Sequence, residues 1–326
     1  MKRVGLARRQ TGRVGLARRQ EEVKRVRVRR TSESQTSLKL TWLATRIAGR
    51  FSPRAGGWFA ARLWFVPWAV DADERSRRRH ARWLEGATPI SIPHEGGLLA
   101  GFTAGEGPTV LLVHGWGERA ATLGALVQPL VERGFRVVGI DLPAHGDTSG
   151  RRTNLIEEAA AVRSATSHLG GVHALLAHSM GGAVAALAVA EGAAVERVVL
   201  VASALRLDNA LTVFTELFGI PERAVQGLRR YIERRFGATV WDDFGVDRLA
   251  PSMEIPALVI HDVDDPQIAF ADGEVLAARW PGARFVATQG LGHVKILGDE
   301  RVISEIGDFL ERAPIFDTTE KVSVTA

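Results

Sequence analysis

Residues 174–187 read ALLAHSMGGAVAAL, from Ala174 to Leu187, and this stretch decides the fold. Ala174-Leu175-Leu176 is a short apolar run of the kind that forms a buried strand, and it passes with no loop into an Ala-rich run suited to a helix. Ser179 stands at the junction. A strand that turns directly into a helix must bend sharply, and such a bend lifts the hydroxyl above the sheet edge at the positive end of the helix dipole. Small residues two before and two after the serine let the chain fold that tightly. Gly181 meets the second requirement, and Ala177 stands where a first glycine is usual. Five residues alone are a weak signal; their position between a strand and a helix makes them a strong one.

Outward from this junction the chain is regular. From residue 88, apolar runs alternate with helical patterns, as expected of a mostly parallel sheet covered on both faces. Eight candidate strands result: Pro89 to Ile92, Leu98 to Thr103, Val110 to His114, Arg136 to Asp141, His173 to His178, Arg197 to Ala202, Ala257 to Asp262 and Arg284 to Thr288. Helices are expected near 121–133, 154–169, 180–191, 270–280 and 299–311, with Gly134, Gly170 and Gly192 as left-handed C-terminal residues. The interval 203–250 breaks the alternation with a series of helical patterns, one of which starts near Pro221.

Composition sets outer bounds. The 326 residues contain 46% hydrophobic side chains, enough for one large α/β domain, and no cysteine, which excludes disulfides, thiolate nucleophiles and Cys-ligated metals. The formal charge of +5 is concentrated at the N-terminus, where residues 1–30 carry twelve Lys or Arg and two Glu. The octapeptide RVGLARRQ occurs twice there, at 3–10 and 13–20. Two short basic repeats cannot bury a core, so residues 1–37 are expected to be a disordered basic tail, solvated rather than bound to nucleic acid. Residues 38–86 are expected to be a helical segment, with Trp58, Phe59, Leu63 and Trp64-Phe65 on one face and Arg75 to Arg82 as a polar connector. Its cations leave no uncharged run long enough to span a membrane. The preferred reading is a helix packed on the main domain, and the alternative is weak contact of residues 38–70 with a membrane surface.

Beyond the serine, the ordered set Val110 to Gly117 (VLLVHGWG), Asp141 to Ser149 (DLPAHGDTS), AHSMGG, His261 to Ile268 (HDVDDPQI) and Gly290 to His293 (GLGH) resembles the α/β-hydrolase family over residues 90–311. The resemblance implies an eight-stranded α/β-hydrolase core at 87–203 and 251–314, a helical cap at 204–250 inserted after the sixth strand, and a C-terminal tail at 315–326. In that family the order is nucleophile, acid, base. Ser179 is then the nucleophile. Of nine histidines only His261 and His293 follow it, and His293, in a Gly-flanked loop after the last strand, is the expected base. His114, His145 and His178 are assigned to packing or loop structure.

Four aspartates compete for the acid. The family pattern places it three residues after a position usually held by glycine, here Asp262, which points to Asp265; Asp208, Asp262 and Asp264 are the alternatives. The resemblance also implies backbone N–H donors at Trp116 and Met180 for a developing oxyanion. A serine at this turn disfavours the branches of the family that use aspartate there.

The expected reaction is hydrolysis of an ester or thioester through a Ser179 acyl-enzyme, with no metal or organic cofactor. Its partner would be a small acyl substrate, with no nucleic acid, in the cytoplasm or on a membrane surface. A non-catalytic ligand-binding role and acyl transfer to an acceptor other than water are the alternatives. Arg223, Arg229, Arg230, Arg234 and Arg235 lie on the inserted segment beside an apolar stripe of Val225, Leu228, Ile232 and Phe236, and are read as a solvated helix face.

Overall fold

A computed structural model describes residues 32–67 and 74–312. The expectations for residues 1–31 and for the C-terminal tail fall outside the described residues. Two compact units are distinguished: one holds the described residues up to Trp64 together with Leu211–Arg235, and the other holds the rest.

The larger unit contains α3 (Glu74–Trp83), β1 (Thr88–His94), β2 (Gly97–Ala104), β3 (Thr109–Val113), α4 (Val127–Glu132), β4 (Arg136–Ile140), α5 (Leu155–His168), β5 (Val172–His178), α6 (Met180–Ala190) and β6 (Val195–Val201). After the insertion it continues with β7 (Ala257–Asp262), a helix Phe270–Arg279, β8 (Arg284–Thr288), a single turn Gly292–Lys295 and a last helix Glu300–Glu311. The eight strands form one sheet in the order β1-β2-β4-β3-β5-β6-β7-β8. β1, β2 and β4 pair antiparallel, and every pair from β4 to β8 is parallel. All eight candidate strands are present.

Strand alternation sorts the core into two layers. Leu111, Val113, Leu175 and Ala177 join Val162 and Val184 on one face. Val110, Leu112, Ala174 and Leu176 join Leu130, Ile306 and Phe309 on the other. Both faces are covered, so the central strands are buried over most of their length, as parallel strands require. Asn154 caps α5 by accepting from the N–H groups of Ile156 and Glu157, and Asp299 does the same for the last helix. Gly134, Gly170 and Gly192 all have positive φ just past a helix end.

Three elements differ from expectation. The helix near 121–133 is split into a 3₁₀ segment, Ala120–Leu126, and α4. Pro129 lacks the N–H that a continuous helix would need, and is tolerated only in the first turn of a new one. Arg75 to Arg82 is not a connector but most of α3. Glu74 at its first turn pairs with Arg77 at 3.0 Å and Arg78 at 3.1 Å, and Arg79 stacks on Trp83, which offsets the repulsion of the arginine run. The N-terminal helix begins at Ser32, inside the segment expected to be a tail.

The smaller unit is helical. It holds α1' (Ser32–Phe51) and α2' (Pro53–Trp64), and from the insertion most of α7 (Leu207–Phe218) and α8 (Glu222–Phe236), while the short helices Val240–Asp243 and Val246–Leu249 belong to the larger unit. Their packing is close because the contact residues are small. A Cβ on Gly57 would fall 2.1 Å from the Gly227 carbonyl carbon, and one on Gly49 would fall 2.8 Å from the Ala224 Cβ. Trp42 donates its indole N–H to the Phe218 carbonyl at 2.7 Å, and Trp64 meets Phe214 edge to face. The buried face of α2' is Gly56, Gly57, Ala60, Ala61 and Leu63, whereas Trp58 is exposed. The expected aromatic face is therefore corrected: backbones this close leave no room for Trp58 between them. Among the described residues, no helix is long and apolar enough to cross a membrane.

Candidate active site

Parallel strands deliver the loops that follow them to one edge of the sheet. β3 and β5 are neighbours, as are β7 and β8, so the turns after β3, β5, β7 and β8 meet there. Ser179 follows β5 directly, with φ 56° and ψ −127°. A non-glycine residue held in such a conformation costs about 1–3 kcal/mol and persists only where its surroundings over-determine it. They do so here. Ser179 N–H donates to the Val201 carbonyl at 3.1 Å, and its own carbonyl accepts from Gly182 at 3.0 Å and Ala204 at 3.1 Å. A Cβ on Gly181 would lie 2.5 Å from the His114 carbonyl oxygen, and one on Gly182 would lie 2.0 Å from Ser203 Oγ. Both glycines are thus fixed by how closely α6 approaches the ends of β3 and β6.

Ser179 Oγ lies 3.0 Å from His293 Nε2, and His293 Nδ1 lies 2.7 Å from Asp265 Oδ2. With Nδ1–H donating to the carboxylate, Nε2 is the acceptor facing the hydroxyl. The other Asp265 oxygen accepts from the N–H groups of Gln267 at 2.7 Å and Ile268 at 3.0 Å. His261 Nε2 lies 3.5 Å from Oδ2. Burial pushes the Asp265 carboxyl upward, but His261, His293 and the Ile268 N–H outweigh it and hold the group well below the usual carboxylate range.

Both ring nitrogens of His293 are occupied, so Asp208, Asp262 and Asp264 are outside the pairing. Asp262 has a different task. It accepts from Thr288 Oγ1 at 2.7 Å and from the N–H groups of Gly292, Leu291 and Asp264 at 2.9, 3.1 and 3.0 Å, while Asp264 accepts from Gly290 at 3.1 Å. The two carboxylates hold the loop that carries His293.

The expected oxyanion donors sit at two ends of this arrangement. Met180 N–H is the first of α6, where the leading amides have no intrahelical partner. In the turn after β3, Gly115 N–H donates to Glu118 at 2.8 Å and Gly117 N–H donates to His145 Nε2 at 3.0 Å. Of these three successive amides, only that of Trp116 is not tied to a side chain. His114 donates from Nδ1 to the Gly115 carbonyl and accepts at Nε2 from Leu142. His145 donates from Nδ1 to the Pro143 carbonyl. Both act as structural, neutral rings, and burial lowers the His114 pKa.

Sequence reasoning missed one pair. Glu118 Oε2 also lies 3.0 Å from His178 Nδ1, and His178 Nε2 lies 2.9 Å from the His293 carbonyl oxygen. A carboxylate and a carbonyl can only accept, so both nitrogens of this fully buried ring donate and His178 is an imidazolium. Burial pulls the His178 pKa down, and the charge and hydrogen bond of Glu118 more than reverse it. Burial likewise pushes Glu118 up, but His178 and the Gly115 N–H bring it to about 2. The signal in the sequence was a glutamate directly after the HGWG turn and a histidine directly before Ser179.

The fold recurs in known structures. A putative lipase from Acinetobacter baumannii AYE superposes with a TM-score of 0.57 over 72% of this chain and 93% of that one, at 18% identity. An α/β hydrolase from a metagenome of Mar Chica lagoon sediments gives 0.52 over 68% and 97%, also at 18%. The chain has the α/β-hydrolase fold. A family model described as serine aminopeptidase, S33, matches residues 107–236. A curated relative, the pimeloyl-[acyl-carrier protein] methyl ester esterase of Nitrosomonas europaea, is 32% identical over 142 residues, 40% of this chain and 54% of that protein. The chain spans about half or less of the length of the curated relatives it matches.

Proposed function

We propose that the protein is a serine hydrolase of carboxylic esters or thioesters. The observation that carries this reading is the continuous hydrogen-bonded line from Ser179 through His293 to Asp265, with the serine at a strained turn and the acid's second oxygen saturated by backbone N–H groups. Ser179 Oγ attacks the substrate carbonyl carbon while its proton passes to His293 Nε2. The oxyanion is received by the Trp116 and Met180 N–H groups. Collapse expels the alcohol or thiol, which takes the proton from His293 and leaves an acyl-Ser179 ester. Water, giving its proton to His293, then attacks that ester and releases the acid. Asp265 fixes the His293 tautomer and stabilises the imidazolium formed in each step. Glu118 and His178 are positioning residues that hold the His293 backbone. Likeness to a methyl ester esterase supports an ester as the bond cleaved.

The test is a fluorophosphonate probe combined with a panel of acyl esters, thioesters and aminoacyl amides. Labelling at Ser179, ester or thioester turnover, and loss of both in Ser179→Ala are expected. A folded protein that is neither labelled nor active on these bonds would overturn the reading in favour of a ligand-binding member of the fold, and turnover of amides alone would replace the ester by a peptide bond.

A further inference from the structure

The N-terminal helix α1' is built inside out for a soluble protein. At about 100° per residue, Thr45 and Gly49 share one side of it, and these are the residues buried against its neighbours. Leu40, Leu43, Ile47 and Phe51 fall roughly opposite, and they are 62%, 47%, 52% and 80% exposed. Trp58 on α2' is exposed as well. Five of the nine large apolar side chains exposed among the described residues therefore lie between positions 40 and 58, while the other four are scattered singly. An amphipathic surface helix normally turns its large apolar residues inward. Here the close backbone packing at Gly49, Gly56, Gly57 and Gly227 takes only small side chains, and the large ones are left outward as one stripe.

Charge completes the pattern. No acidic residue occurs between Glu33 and Asp71, and that interval carries Lys39, Arg46, Arg50, Arg54 and Arg62. Lys39, Arg46 and Arg50 run along one border of the stripe. Arg46 and Arg62 lie over the rings of Trp42 and Trp58 at 4.9 and 4.6 Å. We propose that α1' and the start of α2' are a docking surface for an anionic lipid bilayer, lying in the interface plane with the apolar stripe among the acyl chains and the cations at the headgroups. A second copy of the chain is a poorer occupant, because a two-fold contact would bring the same uncompensated cations face to face.

Flotation of the full chain with phosphatidylcholine vesicles, with and without phosphatidylglycerol, tests this. Binding to the anionic vesicles alone is expected. Replacing Leu43, Ile47 and Phe51 together by Gln, at unchanged charge, should weaken the partition by about tenfold or more and leave hydrolysis of a soluble ester unchanged. Arg46→Gln with Arg50→Gln should weaken it less and flatten its salt dependence. If the triple variant fails to fold, brominated lipid in the parent protein gives the answer: quenching should fall measurably in Trp58→Phe. The proposal is overturned if the parent protein does not float, if the folded triple variant floats as well as the parent, if Trp58→Phe leaves quenching unchanged, or if the parent is a dimer that the triple variant dissociates.

Discussion

Three aspartates lie within four residues at 262–265, and their environments separate their roles. Asp265→Asn should keep the fold and lower kcat by about 10³ to 10⁴, since the amide stabilises neither the correct His293 tautomer nor the imidazolium. Asp264→Asn, which loosens one bond to Gly290, should cost far less. Asp262→Asn removes charge from an oxygen pair that accepts four hydrogen bonds, and should appear first as a lowered Tm. Kinetics and thermal melts on the three variants check the assignment; near-parental turnover in Asp265→Asn would refute it. The Glu118–His178 pair makes a separate prediction. Glu118 has its pKa held at about 2 against an ordinary 4.5, so its contribution to stability is full above pH 4.5 and lost as pH falls towards 2. His178 is raised above its ordinary 6.5, so its contribution is full below pH 6.5 and lost as pH rises through the raised value. The pair thus stabilises most between these two limits. Glu118→Gln keeps a similar shape without the charge, so denaturant titrations should show a flatter acid limb, and kcat should fall about tenfold with KM little changed. A parallel pH profile in the variant would remove the ion pair from the account.

At the scale of elements, the helices outside the sheet were the least legible. α3 was hidden by its arginines, because the pairing that stabilises it comes from one glutamate at its first turn. The helical face on 58–65 was read from large apolar residues, but Gly56, Gly57, Ala60 and Ala61 make the buried side. Gly227 shows why: a Cβ there would sit 1.8 Å from the Pro53 carbonyl oxygen. Gly227→Val should therefore destabilise the helical unit by at least about 1–3 kcal/mol, seen as an early unfolding transition or accelerated proteolysis. Hydrolysis of a small soluble ester should persist, since Ser179, His293 and Asp265 all belong to the other unit. Parental stability in this variant would mean that the helices do not approach as closely as described.

For the whole molecule, strand positions and the serine turn were readable along the chain, whereas the order of the candidate triad was implied by the resemblance to α/β-hydrolases. The cause is that buried parallel strands must be continuous apolar runs, that glycine stops helices at Gly134, Gly170 and Gly192, and that a strand entering a helix without a loop forces the geometry at Ser179. Deleting residues 1–31 should leave soluble-ester turnover nearly unchanged, as two short basic repeats carry too few apolar side chains to build a core of their own; loss of most activity would show otherwise. What only the tertiary structure decided are relations between residues far apart in sequence. Which carboxylate meets His293, the ion pair between Glu118 and His178, 60 residues apart, and the outward placement of Leu40, Leu43, Ile47 and Phe51 all depend on distance and direction in space. Periodicity reports which side of an element is apolar, and packing alone selects the side that a neighbour can approach.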